Sequence, residues 1–220
     1  MDDADIPTAV KISVAAKYRN AGQVCVSPTR FLVHPKVFDE FVTRFLEGAR
    51  AIKVGDGLDP QVNMGPMAHR GRLKATEELV ADAVSRGATL ETDGNRIGDR
   101  GYFFEPTVLT NVPVSALAMV DEPFGPIAII NAFDDIDEAI KEANRLPYGL
   151  SAYAYTRSLS SANNLFNGIE SGAISINHHS VALPEHPLGG VKDSGYGTEG
   201  GPSALDAFMT TKFVSLANVL

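Results

Sequence analysis

Short apolar runs of strand character alternate along this chain with longer segments whose apolar residues recur every three to four positions. That alternation is the strongest constraint on the fold, because strands joined through helices lie parallel and need helices to cover their faces. The fold class is therefore α/β, a mostly parallel sheet flanked by helices. Asp5 is placed as the N-cap of a first helix that tolerates Pro7 in its opening turn, carries Ile6, Val10 and Val14 on one face and stops at Gly22. A strand over 31–33 leads into a helix over 36–52 with Phe38, Phe41, Phe45, Ala49 and Ile52 on one face. After a loop marked by Gly55, Gly57, Pro60, Gly65 and Pro66 comes a helix over 69–86, with Leu73, Thr76, Val80, Ala83 and Val84 as its stripe. Strands are predicted over 102–109 and 127–132. Asp135 and Glu138 form a capping box that opens a helix running to 144. A strand over 151–155, a helix over 158–167, a strand over 173–177 and a helix over 202–210 continue the series.

The balance of 19 Lys and Arg against 27 Asp and Glu gives a net charge of −8, which argues against nucleic acid or an anionic membrane as the partner. No apolar run approaches the roughly 20 residues of a membrane helix. The opening Met1-Asp-Asp-Ala-Asp5 has neither the basic nor the apolar region of a signal peptide, so a cytoplasmic location is expected. Cys25 is the one cysteine, which excludes an internal disulfide and a cysteine-based metal cluster.

Cys25 falls between the first helix and the first strand, a junction of the kind where reactive groups are held on loops. Read alone it is better explained by a small buried apolar side chain. The C-terminus of the preceding helix disfavours a thiolate, so an active Cys25 needs a base, a cation or backbone N–H groups nearby. His178, His179 and His186 cluster with Glu185, but adjacent histidines point in different directions and no metal site is assigned. Gly195-Tyr-Gly197-Thr-Glu-Gly200 fits a dinucleotide-binding glycine pattern, yet no strand precedes it and the chain ends at 220, so it is read as a turn.

Seven segments in order resemble the aldehyde dehydrogenase superfamily. They are Gly22-Gln-Val-Cys25 with Arg30, Gly55-Asp-Gly-Leu-Asp-Pro60 with Met64-Gly-Pro66, Gly101-Tyr-Phe-Phe-Glu-Pro-Thr-Val108, Glu122-Pro-Phe-Gly-Pro126, Asn144 with Tyr148-Gly-Leu150, Gly172-Ala-Ile-Ser-Ile-Asn177 and Pro187-Leu-Gly-Gly-Val-Lys-Asp-Ser-Gly195. Asp121 stands where the family often has a glutamate, and Thr198 where relatives commonly carry arginine. The resemblance implies that Cys25 is the catalytic nucleophile, that Glu122 holds the nicotinamide ribose of NAD or NADP, and that Phe124 packs near the nicotinamide. It further implies a substrate pocket drawn from Val24, Val26, His178, His179, Ser180, Val181 and Leu188. Residues 1–210 are then the catalytic thiol domain. The apolar residues 211–220 are an oligomerisation strand that joins homodimers or homotetramers, or else an edge strand of the same chain. The family's N-terminal dinucleotide-binding domain, general base and oxyanion-hole asparagine precede no part of Cys25 here. The chain is accordingly read as a truncated form or split gene product, inactive alone.

The resemblance leads to oxidation of a small aldehyde to the acid through a thiohemiacetal and a thioester on Cys25. The lack of Trp and the polar His178-His179-Ser180 stretch favour a semialdehyde such as succinate semialdehyde. Two other classes stay open. One is a non-catalytic oligomerisation or interaction module with an inert Cys25. The other is a thiol hydrolase or acyltransferase that pairs Cys25 with a histidine, although none of the five lies near it in sequence.

Overall fold

The computed structural model describes residues 1–219. Helix α1 spans Ile6–Tyr18, and the Asp5 carboxylate accepts from the Thr8 N–H at 3.1 Å, as an N-cap does. Strand β1 (Arg30–Val33) feeds α2 (Pro35–Arg50), and α3 covers Arg70–Ser85. Then come β2 (Thr89–Leu90), β3 (Thr107–Thr110), β4 (Ile127–Ala132) and α4 (Ile136–Ala143). The chain continues through β5 (Tyr148–Gly149), β6 (Ser151–Ala154), α5 (Leu159–Gly168), β7 (Ala173–Ile176) and β8 (Val191–Lys192).

Four strands form the main sheet in the order β1-β4-β3-β2. Both β1 and β3 run parallel to β4, and the short β2 runs antiparallel at the edge. Ile127, Ala128, Ile129 and Ile130 are all buried, so both faces of β4 are covered, as a central parallel strand requires. Helix α2 lies against β1, β3 and β4, and α1 packs on α2. Between them sits an aromatic cluster: Phe45 lies 5.1 Å from Phe31, 5.8 Å from Phe41 and 6.2 Å from Tyr18, ring centre to ring centre. Buried Tyr18 also donates to the Thr107 carbonyl at 3.3 Å. A separate parallel pair, β6 and β7, and an antiparallel pair, β5 and β8, hold the second half of the chain.

Several expectations shift. Helix α1 ends at Tyr18, four residues before Gly22, because Asn20 and Ala21 take left-handed conformations in a 3-10 turn. The strand expected over 102–109 is only Thr107–Thr110, since Pro106 has no N–H to give a ladder. In α3 the expected Leu73, Thr76, Val80 and Ala83 are buried, while Val84 is exposed and Leu79 takes its place in the stripe. The helix over 202–210 is a 3-10 segment, Pro202–Phe208. The capping box forms with a shift: Asp135 caps the Glu138 N–H at 2.9 Å, while Glu138 reaches back to the N–H of Asp134. From Met209 to Val219 the chain forms no strand, so the edge-strand alternative is absent among the described residues; Leu220 lies outside them. No described helix is long and apolar enough to cross a membrane.

Phe45 is fully buried at the centre of the aromatic cluster. Phe45→Ala is expected to lower unfolding free energy by about 3–5 kcal/mol, read from urea unfolding. A loss below about 1 kcal/mol would show that this cluster is not the core.

Candidate active site

Cys25 sits at the tip of a tight turn. The Ser27 N–H donates to the Val24 carbonyl at 2.9 Å, which leaves Cys25 and Val26 as the two central residues. The Cys25 side chain is exposed, so it is not sealed in an apolar interior. Among the described residues neither the Cys25 N–H nor the Val26 N–H donates a hydrogen bond. Those free amides beside the sulfur are the donors an oxyanion needs.

The motif residues around the turn now have physical reasons. The Gln23 amide accepts from the Ala68 N–H at 2.8 Å and donates to the Asn20 carbonyl at 3.0 Å and the Pro66 carbonyl at 3.4 Å. It thereby staples the cysteine turn to the Met64-Gly-Pro66 loop. Arg30 donates to the Glu142 carboxylate at 2.8 Å and to its carbonyl at 2.9 Å, tying β1 to the end of α4. The Asn144 amide donates to the Gly168 carbonyl and accepts from the Glu170 N–H, joining the ends of α4 and α5. At Gly172 a β-carbon would lie 1.7 Å from the Gly189 carbonyl oxygen, so only glycine fits that crossing.

Phe124 lies in a turn bounded by Pro123 and Pro126 at the entrance to β4, and Glu122 immediately precedes it. This turn meets the cysteine loop directly. A β-carbon on Gly22 would stand 2.1 Å from the Gly125 carbonyl oxygen and 3.3 Å from the Lys17 Cε. Gly125 in turn rests on Thr76 of α3, and the Pro123 carbonyl accepts from Arg72 at 3.4 Å. Phe124 is half-buried with φ +42, an uncommon conformation for a bulky residue and one often held at functional sites. Glu122 is exposed, and its carboxylate makes no hydrogen bond among the described residues. A carboxylate and an aromatic ring on a segment packed against the loop that leads to Cys25 offer what one end of a nicotinamide nucleotide needs: two acceptor oxygens for ribose hydroxyls and a flat face for a ring.

Three residues not singled out from the sequence belong to this site. Lys17, fully buried on α1, donates to Ser27 Oγ at 3.4 Å. Burial pushes its pKa down to about 7, against the pull of the nearby Glu122 carboxylate. Tyr153 on β6 donates to the Val26 carbonyl at 2.7 Å, and both Cys25 and Arg19 act electrostatically on its phenol, whose pKa is raised mainly by burial. Arg19 is exposed and forms no ion pair among the described residues.

Of the expected pocket residues, Val24 and Val26 flank Cys25 on the turn, half-buried. His179 joins them through Tyr153, on which its ring stacks at 4.0 Å. Burial, with a smaller push from His178, lowers the His179 pKa to about 4, so the ring is neutral at physiological pH. His178 accepts from the Ser180 N–H at 3.1 Å, and the Ser180 carbonyl accepts from buried Ser175 at 3.2 Å, so these two brace their own loop. Val181 is buried, and Leu188 pairs by its backbone with Glu199. Contrary to expectation a strand does precede the glycine pattern at 195–200, but it is only the two-residue β8, and no α-helix follows among the described residues, so the pattern does not open a strand–turn–helix unit. Two surface grooves of about 530 and 390 Å³ are lined by other residues, away from Cys25.

The aldehyde dehydrogenase family model matches residues 1–214. The chain belongs to the aldehyde dehydrogenase family. It is 42% identical over 212 residues to a putative 4-(hydroxymethyl)benzenesulfonate dehydrogenase from Comamonas testosteroni, covering 96% of this chain and 44% of that protein. To a probable NADP(+) succinate-semialdehyde dehydrogenase from Sinorhizobium fredii (strain NBRC 101917 / NGR234) it is 41% identical over 218 residues, covering 99% and 44%. A crystal structure of lactaldehyde dehydrogenase from Escherichia coli superimposes with a TM-score of 0.95 at 34% identity, covering 98% of this chain and 46% of that one. This aldehyde dehydrogenase chain thus spans about 44% of the length of the curated relatives.

Lys17 gives the site a measurable signature. Its pKa is near 10.5 in an unfolded chain and about 7 in the fold. Between those values only the unfolded chain binds the proton, so the Lys17 contribution to stability rises with pH, by up to about 1.4 kcal/mol per unit. Below pH 7 both states are protonated and the contribution is flat. Lys17→Met is expected to be the more stable protein at pH 6–7, with its advantage shrinking by pH 9. Urea unfolding of both proteins at pH 6, 7.5 and 9 checks this, and parallel pH profiles would show Lys17 to titrate normally.

Proposed function

We propose that this chain is the thiol-bearing catalytic portion of an NAD(P)⁺-dependent aldehyde dehydrogenase, with Cys25 as nucleophile. The supporting observation is the close packing, through Gly22 and Gly125, of the loop that leads to the exposed Cys25 on the segment that carries Glu122 and Phe124. In the mechanism the Cys25 thiolate adds to the aldehyde carbonyl and forms a thiohemiacetal. The Cys25 N–H, free of other acceptors, donates to the resulting oxyanion. When bound, the nicotinamide cofactor accepts the hydride, and Glu122 with Phe124 are the residues of this chain that hold and orient it. The thioester left on Cys25 is then hydrolysed by water. Residues 1–210 act as the catalytic domain in this reading. A dinucleotide-binding portion, a general base and a second oxyanion donor come from outside the chain.

A semialdehyde suits the site. The exposed, unpaired guanidinium of Arg19 and the Cys25 turn share Tyr153 as a neighbour, which offers a carboxylate anchor near the thiol. The name of the Sinorhizobium fredii relative is in keeping with such a substrate. Apolar side chains at the other end of the chain indicate a docked surface. Phe208 is 87% exposed, Phe213 89% and Leu216 75%, which suits residues 211–220 as the strand that joins a second copy. The same apolar segment favours a non-catalytic interaction module as a second reading, in which Cys25 would react with thiol reagents no faster than free cysteine.

Loss of one oxyanion donor costs about 10²–10³ in rate and loss of a general base about 10²–10⁴. The 220-residue chain alone is therefore expected to show no NAD(P)⁺ reduction with succinate semialdehyde. Joined to the dinucleotide-binding portion of a relative it is expected to turn over, and Cys25→Ala is expected to abolish that turnover. Persistent activity in the Cys25→Ala protein would exclude Cys25 as the nucleophile. In the same joined protein Arg19→Gln is expected to raise KM for succinate semialdehyde about tenfold, the equivalent of 1.4 kcal/mol. KM for an uncharged aldehyde should stay within about twofold; an equal rise for both would remove Arg19 as a carboxylate anchor.

A further inference from the structure

The turn that carries Cys25 is held at both flanks. Gln23 anchors the leading side through the Ala68 N–H and the Pro66 carbonyl. On the trailing side the Ser27 hydroxyl lies between the Lys17 ammonium and the Lys17 carbonyl, each at 3.4 Å. The tip has a different tie. Its two central N–H groups are free, and the Val26 carbonyl accepts from the Tyr153 phenol at 2.7 Å, across 127 residues of sequence. A turn with both flanks fixed can still rotate its central peptides, which moves the Cys25 N–H and the sulfur together. Fixing the Val26 oxygen removes that freedom.

Tyr153 is itself over-determined. It stands on β6, whose parallel pairing with β7 sets Tyr153 opposite Ser175. Its ring stacks on His179 with centroids 4.0 Å apart and planes inclined by 26°, so the phenol cannot swing away from the turn without breaking the stack. Phe would fill the same ring position, but a hydroxyl there makes a contact that packing alone does not need.

We infer that Tyr153 is a positioning residue: by fixing the Val26 carbonyl it sets the orientation of the Cys25 turn, and His179 holds the phenol in place for that purpose. The inference deepens the reading of Cys25 as nucleophile and takes its catalytic meaning from it, while the mechanical part stands on the geometry alone. A misplacement of about 1 Å at a reacting atom can cost on the order of 10²-fold in rate, so a hydroxyl that makes no contact with substrate can still control turnover.

Backbone ¹⁵N relaxation on the 220-residue chain tests the mechanical part. In the unsubstituted chain the Cys25 and Val26 amides should have order parameters near the rigid value of about 0.85. Tyr153→Phe keeps the ring on His179 and should lower both towards about 0.6, with Gln23 and Ser27 unchanged. Mobile amides at Cys25 and Val26 in the unsubstituted chain, or rigid ones in a folded Tyr153→Phe chain, would overturn the inference; the first needs no variant at all. In the joined protein Tyr153→Phe should reduce kcat by about 10- to 100-fold with KM for the aldehyde within about threefold. A change confined to KM would make Tyr153 a pocket wall instead. If Cys25→Ala retained activity, the nucleophile reading would fail while the relaxation result remained a valid measure of the clamp.

Discussion

Two backbone turns approach so closely in this protein that one of them must lack a side chain. Gly22 has φ +69 and stands where any β-carbon would overlap the Gly125 carbonyl oxygen. That approach lets the loop after α1, which leads to Cys25, and the turn before β4, which carries Phe124, share a surface. The main sheet supports the arrangement from below. Strands β1 and β4 are hydrogen-bonded neighbours, so the segments that enter them arrive side by side.

The junction includes a buried charge. Lys17 lies beneath both turns with a hydroxyl and a nearby carboxylate as its polar surroundings. Such an arrangement costs stability relative to an apolar side chain of the same size, and buried charges of this kind are frequent where function depends on the local field. The strained backbone of Phe124 is a second local cost at the same place. Together they mark the junction as the part of the molecule where stability is subordinate to geometry.

The sequence was informative where one local rule decided the outcome. Asp5 and Asp135 cap helices as their residue types suggest, and the run of residues 127–130 is the buried central strand. Apolar Phe103 and Phe104 give the next strand the look of a longer one, but Pro106 has no N–H for the ladder and the strand begins at Thr107. The terminal apolar segment reads as a strand from composition, but a strand needs a partner edge, and none is formed by the described residues. At the site, ordered motifs picked out Cys25, Glu122 and Phe124, which the fold gathers around one junction. Lys17 looked like an ordinary charged position on a helix, where lysine is seldom fully buried. Tyr153 could not be found at all, since its contact with Val26 joins residues far apart in the chain and leaves no periodic trace.

The pairing of β1 with β4 has a consequence for biosynthesis. Arg30 and its neighbours reach their sheet partners only once residues 127–132 have been made. At a ribosomal pace of about 5–20 residues per second, that interval lasts roughly 5–20 s. During it the thiol segment has no sheet to rest on, and the Val26 carbonyl must wait longer still for β6. Both partners of the thiol segment thus lie later in the sequence than the segment itself, an order that leaves the sulfur unplaced until its surroundings exist.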